Sequence, residues 1–112
     1  MRISRVCLAV ALLACFSGAV WAQQLDRPTV KPDPQKGLTL AQRWCASCHL
    51  VSREQSRGSD TAPSFQSIAR QKNFNAERLA FFLLDPHPMM PNMTLSRNET
   101  RDIAAYIGTL RR

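Results

Sequence analysis

Two cysteines and a histidine lie close together in the stretch WCASCH, residues 44–49. The thiols of Cys45 and Cys48 are about one helical turn apart, so both can reach the two vinyl groups on one edge of a porphyrin. His49 directly follows the second cysteine, which places its imidazole beneath the ring, where it can bind iron. This Cys-x-x-Cys-His spacing is typical of c-type haem attachment.

Two other kinds of site share the Cys-x-x-Cys part of the pattern, the thioredoxin-like redox pair and half of a zinc site. A zinc site needs a second pair of ligands, and the remaining cysteines, Cys7 and Cys15, lie in a predicted leader. A thioredoxin-like pair needs alternating strands and helices, and no such pattern is present. The sequence therefore predicts haem attachment in preference to either alternative.

The first 22 residues have the features of a secretory signal peptide. Arg2 and Arg5 form a short basic region, and an almost continuous apolar run follows over residues 6–20. Val20 and Ala22 supply small residues at the −3 and −1 positions, which predicts cleavage after Ala22 and a periplasmic location.

Two alternatives for this leader are a membrane anchor and a lipoprotein signal. The apolar run is too short to span a bilayer and has no charged stop behind it. Residues 12–15, LLAC, form an imperfect lipobox that would acylate Cys15. The apolar stretch continues beyond Cys15 to Trp21, which favours the cleaved, soluble form.

The predicted mature chain has 90 residues, with 13 Lys and Arg against 8 Asp and Glu, giving a net charge near +5. This charge favours encounter with an acidic protein or an anionic membrane face, and export argues against nucleic acid as the partner. A single domain of this size buries a modest core. With both cysteines in thioether bonds no disulfide is available, so we expect the porphyrin to form the centre of the core.

Local signals in the mature chain predict helices and no strands. After an extended lead-in over residues 23–32, Asp33 and Pro34 form a helix start, and apolar residues follow at helical spacing as far as Cys48. After Phe65 a short helical piece is expected through Ile68 and Ala69, and a dense apolar helix over 76–84. A capping box, Ser96 to Glu99, opens the last helix.

In these features the chain resembles the small single-haem class I cytochrome c family over roughly residues 33–110. The resemblance is carried, in order, by the segments CASCH, APSF, PHPMMPN and AYI, residues 45–49, 62–65, 86–92 and 105–107. It implies an all-α class I cytochrome c fold over 33–112, with about four short helices around one covalently bound haem c. The first and last helices would cross beside the haem, with Gly37 at the point where the helix bearing Tyr106 passes over.

The resemblance also implies the residues that hold the haem. Cys45 and Cys48 match the thioether positions, and His49 matches the proximal ligand of the iron. Pro63 matches the proline whose carbonyl accepts a hydrogen bond from the proximal imidazole. Met90 matches the distal ligand. The family often has Gly before the proline that Pro63 matches, where this chain has Ala62.

Other side chains near Met90 compete for the sixth position on the iron. Met90 precedes Pro91 and lies 41 residues after His49, enough chain to pass around the haem edge. His87 would instead give a bis-histidine haem of lower potential. Met89 and Met93 are interpreted as loop-packing residues, the usual role of methionine.

With both axial positions filled by the protein, the predicted function is electron transfer between redox proteins, without enzymatic activity. The expected partners are a donor and an acceptor with acidic docking surfaces, bound by a monomer or by a subunit of a redox complex. Two alternatives remain: a fixed cytochrome subunit of a dehydrogenase or oxidase, and a haem-based sensor or enzyme with an open or displaceable sixth ligand.

Overall fold

The computed structural model describes residues 30–58, 61–85 and 89–112, and this part of the chain is helical. Its elements are α1 (Pro34–Trp44), α2 (Phe65–Ala69), α3 (Ala76–Leu84) and α4 (Arg97–Thr109). No strand occurs in the described residues, so the expected all-α fold with four short helices is confirmed. The predicted signal peptide, most of the lead-in and His87 lie outside the described residues.

Each helix begins where a side chain accepts a hydrogen bond from the backbone of its first turn. Asp33 accepts from the amides of residues 35 and 36 at 2.9 and 3.3 Å, and Asn75 accepts from the amide of residue 78 at 2.8 Å. At α4, Ser96 accepts from the Glu99 amide at 3.3 Å while the Glu99 carboxylate accepts from the Ser96 amide at 2.8 Å. The predicted capping box is therefore present.

The core forms where α4 packs against α1 and α3. Ile103 and Ile107 of α4 are fully buried, Tyr106 lies beside them, and α1 contributes the buried residues Gly37 and Ala41. Ile103, Tyr106 and Ile107 follow one another at the i, i+3, i+4 spacing of one helix face, which is why the same face of α4 is buried. Among the described helices, none is long and apolar enough to cross a bilayer.

Gly37 lies at the closest approach of α1 and α4. A Cβ atom at this position would come within 2.9 Å of the Tyr106 Cβ and would overlap the carbonyl oxygen of Asp102. The Asp102 carboxylate also accepts a hydrogen bond from the Asp33 amide at 2.7 Å, which joins the start of α1 to α4. The packing reason expected for this glycine is confirmed.

Replacing Gly37 by Ala should destabilise the haem-loaded protein by about 1–3 kcal/mol, because the new methyl group meets rigid backbone. Gly108→Ala is the matched control, since a Cβ there would lie 3.5 Å from the Phe74 ring, an ordinary contact. Alanine within a helix is favoured over glycine, so that control should gain about 0.5–1 kcal/mol. Urea unfolding measures both changes, and an unaltered midpoint for Gly37→Ala would contradict the close approach.

The end of α1 differs from the sequence prediction. The apolar spacing suggested one helix as far as Cys48, but α1 ends at Trp44 and Cys45 caps it. The amides of Cys45 and Ala46 both donate to the Ala41 carbonyl, at 2.8 and 3.1 Å, which closes the helix. The amides of Cys48 and His49 then both donate to the Cys45 carbonyl, at 3.1 and 2.9 Å, so the motif forms a separate turn.

Candidate haem site

His49 lies buried in the turn after α1, and its ring has a defined orientation. Its Nδ1 lies 2.6 Å from the carbonyl oxygen of Pro63. A carbonyl can only accept, so Nδ1 carries the proton and donates, and Nε2 is the nitrogen with the lone pair that can bind a metal. The Phe65 ring packs beside the imidazole, with centroids 5.5 Å apart and a tilt of 49°.

Two adjacent cavities meet at this histidine. The inner cavity has a volume of about 320 Å³ and the outer cavity about 300 Å³. The residues that border both are Cys45, His49, Pro63 and Met90, and Cys48 borders the outer one. The structure thus brings all five predicted site residues together around one crevice, although they span 46 positions of the sequence.

The lining of the inner cavity is largely apolar. Its wall is formed by side chains from α2, α3 and α4: Phe65, Ile68, Leu79, Phe82, Leu83 and Ile107. Beyond His49, its other polar lining residue is Gln71. Apolar pockets of several hundred cubic ångströms with a few placed polar groups are typical cofactor sites.

These residues fit a haem. The crevice offers an apolar wall for the porphyrin, thiols on its outer side for the vinyl groups, and an imidazole and a thioether sulfur on its border for the iron. Within the described ranges, no group of three or more His, Cys, Asp or Glu side chains could hold a metal ion. The zinc alternative therefore has no ligand set there.

The two cysteines differ in their surroundings. Cys45 is 5% exposed, whereas Cys48 is exposed to solvent. Burial raises the pKa of the Cys45 thiol to about 11. Before any covalent attachment, that thiol therefore stays protonated at neutral pH, and it lies where a bound group would be enclosed.

The three methionines of the loop before α4 also occupy different environments. Met90 is half-buried at the border of both cavities, and Met93 is half-buried at the outer one. Met89 also borders the outer cavity, but it is 88% exposed.

The backbone of the same loop has one unusual conformation before α4. Thr94 has a φ of 50°, unusual for a β-branched residue, and its amide donates to the Asn92 side chain at 2.9 Å.

Two side chains whose hydrogen bonds could not be predicted from the sequence hold the segment after the motif. The Tyr106 hydroxyl donates to the Val51 carbonyl at 2.7 Å. Burial, and then the Glu54 carboxylate, raise the pKa of Tyr106, so it remains a donor at neutral pH. Gln55 makes several hydrogen bonds to the backbone around His49. Nothing in its sequence context distinguishes Gln55 from other polar loop residues.

The fold and the crevice define a class of protein: a small helical domain with a Cys-x-x-Cys-His turn at the border of an apolar cofactor cavity. The family model described as Cytochrome c matches residues 34–111, so the chain belongs to the cytochrome c family. Proteins of this family carry covalently bound haem c. The comparison confirms the resemblance to the single-haem class I members.

A curated relative matches nearly the whole chain. Cytochrome c-552 of Bradyrhizobium diazoefficiens is 48% identical over 111 residues, which cover 99% of this chain and 97% of that protein. No solved structure matches the chain significantly. The individual roles of the five crevice residues remain predictions.

Proposed function

We propose that the protein is a periplasmic electron carrier with one haem c, bound through thioether bonds to Cys45 and Cys48. His49 and Met90 would be the axial ligands of the iron. The observation that carries this proposal is the shared border of the two cavities, where a thiol, an oriented imidazole and a thioether sulfur lie around one apolar crevice.

When bound, the haem would supply a one-electron couple between ferrous and ferric iron. The chain's own residues decide what that couple does. The Pro63 carbonyl keeps the proton on Nδ1 of His49 and makes the imidazole a stronger donor. The Met90 sulfur is a soft donor that favours ferrous iron, which raises the potential relative to two nitrogen ligands. Because the protein would fill both axial positions, no substrate has an open site.

Partners would approach at the outer cavity, where both thioether bonds would lie. Trp44 borders this cavity, and the Arg43 guanidinium carbon lies 4.9 Å from the centre of its ring. Both side chains are exposed, so a positive charge stands beside the opening of the crevice. Together with the net charge near +5 of the predicted mature chain, this favours acidic surfaces on the donor and acceptor.

Spectroscopy of the purified mature protein tests the proposal. We expect one covalent haem per chain in the pyridine haemochrome, a reversible one-electron redox titration and a weak sulfur-to-iron band at long wavelength in the oxidised protein. Reduced protein should not bind CO, because Met90 fills the sixth position. Rapid CO binding would instead indicate a sensor or enzyme, and purification as a constant heterodimer would indicate a fixed subunit.

The location is tested at the N-terminus of the protein recovered from cells. Cleavage after Ala22 should give a soluble periplasmic protein that begins at Gln23, because small residues occupy the −3 and −1 positions. Mass spectrometry of the intact protein measures this end. Ala22→Arg should block processing, while Cys15→Ser should leave it unchanged. A diacylated N-terminal Cys15 would contradict the proposal and establish the lipoprotein route.

A further inference from the structure

The side chain of Gln55 reaches back across the loop to the backbone of the motif. Its Nε2 lies 2.9 Å from the carbonyl oxygen of Ala46, 3.0 Å from that of His49 and 2.5 Å from that of Arg57. Its Oε1 accepts a hydrogen bond from the Val51 amide at 3.1 Å. This half-buried amide therefore contacts the chain before, at and after His49.

This arrangement uses both functions of a primary amide. The NH₂ group has two hydrogens, which are shared among three backbone carbonyl oxygens. The Oε1 atom of the same amide accepts the fourth hydrogen bond, from the Val51 amide. A carboxylate of the same length could only accept, and an apolar side chain could do neither. Of the side chains that reach this far, glutamine is the one that serves all four backbone groups.

Neighbouring carbonyls in the turn are held by other partners. The Cys45 carbonyl accepts within the turn, the Leu50 carbonyl accepts from the Phe65 amide at 2.9 Å, and the Val51 carbonyl accepts from Tyr106. Gln55 adds the carbonyls of Ala46 and His49 to this set. The His49 carbonyl is thereby held by the Gln55 side chain, its amide by the Cys45 carbonyl, and its ring by the Pro63 carbonyl 14 residues along the chain.

We propose that Gln55 is the positioning residue of the proximal histidine. By holding the His49 backbone it keeps the imidazole within hydrogen-bonding distance of Pro63 and directs Nε2 into the crevice. The inference rests on the proposed function, since it takes His49 as an iron ligand. A tight hydrogen bond from Nδ1 increases the donor strength of the imidazole, which stabilises ferric iron. Removing the Gln55 hydrogen bonds should weaken the bond from Nδ1 and therefore raise the midpoint potential.

Replacing Gln55 by Met in the haem-loaded protein removes all four hydrogen bonds but keeps the length of the side chain. In the reduced protein, the Nδ1 proton of His49 should exchange with solvent on the order of tenfold faster, because its hydrogen bond opens more often. The midpoint potential should rise, and the haem methyl resonances of the oxidised protein should shift. Gln55→Asn retains the amide but shortens the reach, so it should change each quantity less, in the same direction.

Gln66→Met is the matched control, because Gln66 is also half-buried and, within the described residues, its amide group lies beside the guanidinium groups of Arg53 and Arg70 instead of the motif. That variant should keep the wild-type exchange rate, potential and methyl shifts. If Gln55→Met lowers only the thermal stability and leaves these three quantities unchanged, the positioning role is wrong although the proposed function stands. A wild-type protein without haem, or with an iron ligand other than His49, would overturn the proposed function itself.

Discussion

Replacing Met90 by Ala should remove the sulfur-to-iron band, lower the midpoint potential and open the ferrous iron to CO. The direction follows from the loss of a soft donor that preferentially stabilises ferrous iron. Axial ligands span roughly 0.8 V in haem proteins, so a fall on the order of 0.1 V or more is expected. Absorbance spectroscopy of the oxidised protein, a redox titration and CO binding measure the three effects.

The neighbouring methionines supply matched controls for this prediction. Met93→Ala removes a half-buried side chain that borders only the outer cavity, and Met89→Ala removes one that is 88% exposed. Neither variant should lose the sulfur-to-iron band. His87→Ala should likewise leave the potential close to that of the wild type. If Met90→Ala is spectroscopically silent and His87→Ala is not, the haem is ligated by two histidines and the carrier works at lower potential.

The helices could be predicted from the sequence because their boundaries depend on local contacts. Asp33, Asn75 and Ser96 each bond to amides within three residues, so the sequence alone displays both partners. The predicted end of α1, at Cys48, lies beyond its observed end at Trp44. Apolar spacing continues through Cys48, but the bonds that close the helix converge on the single carbonyl of Ala41, and side-chain spacing does not reveal them.

The crevice shows the same division between local and distant contacts. Cys45, Cys48 and His49 could be recognised because their chemistry depends on their spacing within five residues. Pro63 and Met90 came only through the resemblance to a family, since nothing local shows that either lies beside His49. Gln55 and the Asp102 contact with Asp33 could not be predicted, because polar side chains of these types are common in loops and on helix surfaces.

Replacing either cysteine of the motif by serine should remove one thioether bond and most of the yield of haem-loaded protein. A hydroxyl group does not replace the thiol in attachment to a vinyl group, and the small core depends on the haem to be complete. The pyridine haemochrome measures the number of thioether bonds, because an unreacted vinyl group shifts its absorbance band. Ser47→Ala, an exposed change within the same turn, should leave yield and spectrum unchanged.

The two cysteine variants should also differ from each other. Cys45 is 5% exposed at the border of both cavities, so a serine there places an unpaired hydroxyl in an apolar wall, which costs about 1–3 kcal/mol beyond the lost bond. Cys48 is exposed, and its replacement carries no such burial cost. Cys48→Ser should therefore give more haem-loaded protein than Cys45→Ser. The thermal stability of Cys45→Ser should be the lower of the two. Normal yields with an unchanged haemochrome spectrum in either variant would contradict covalent attachment through this motif.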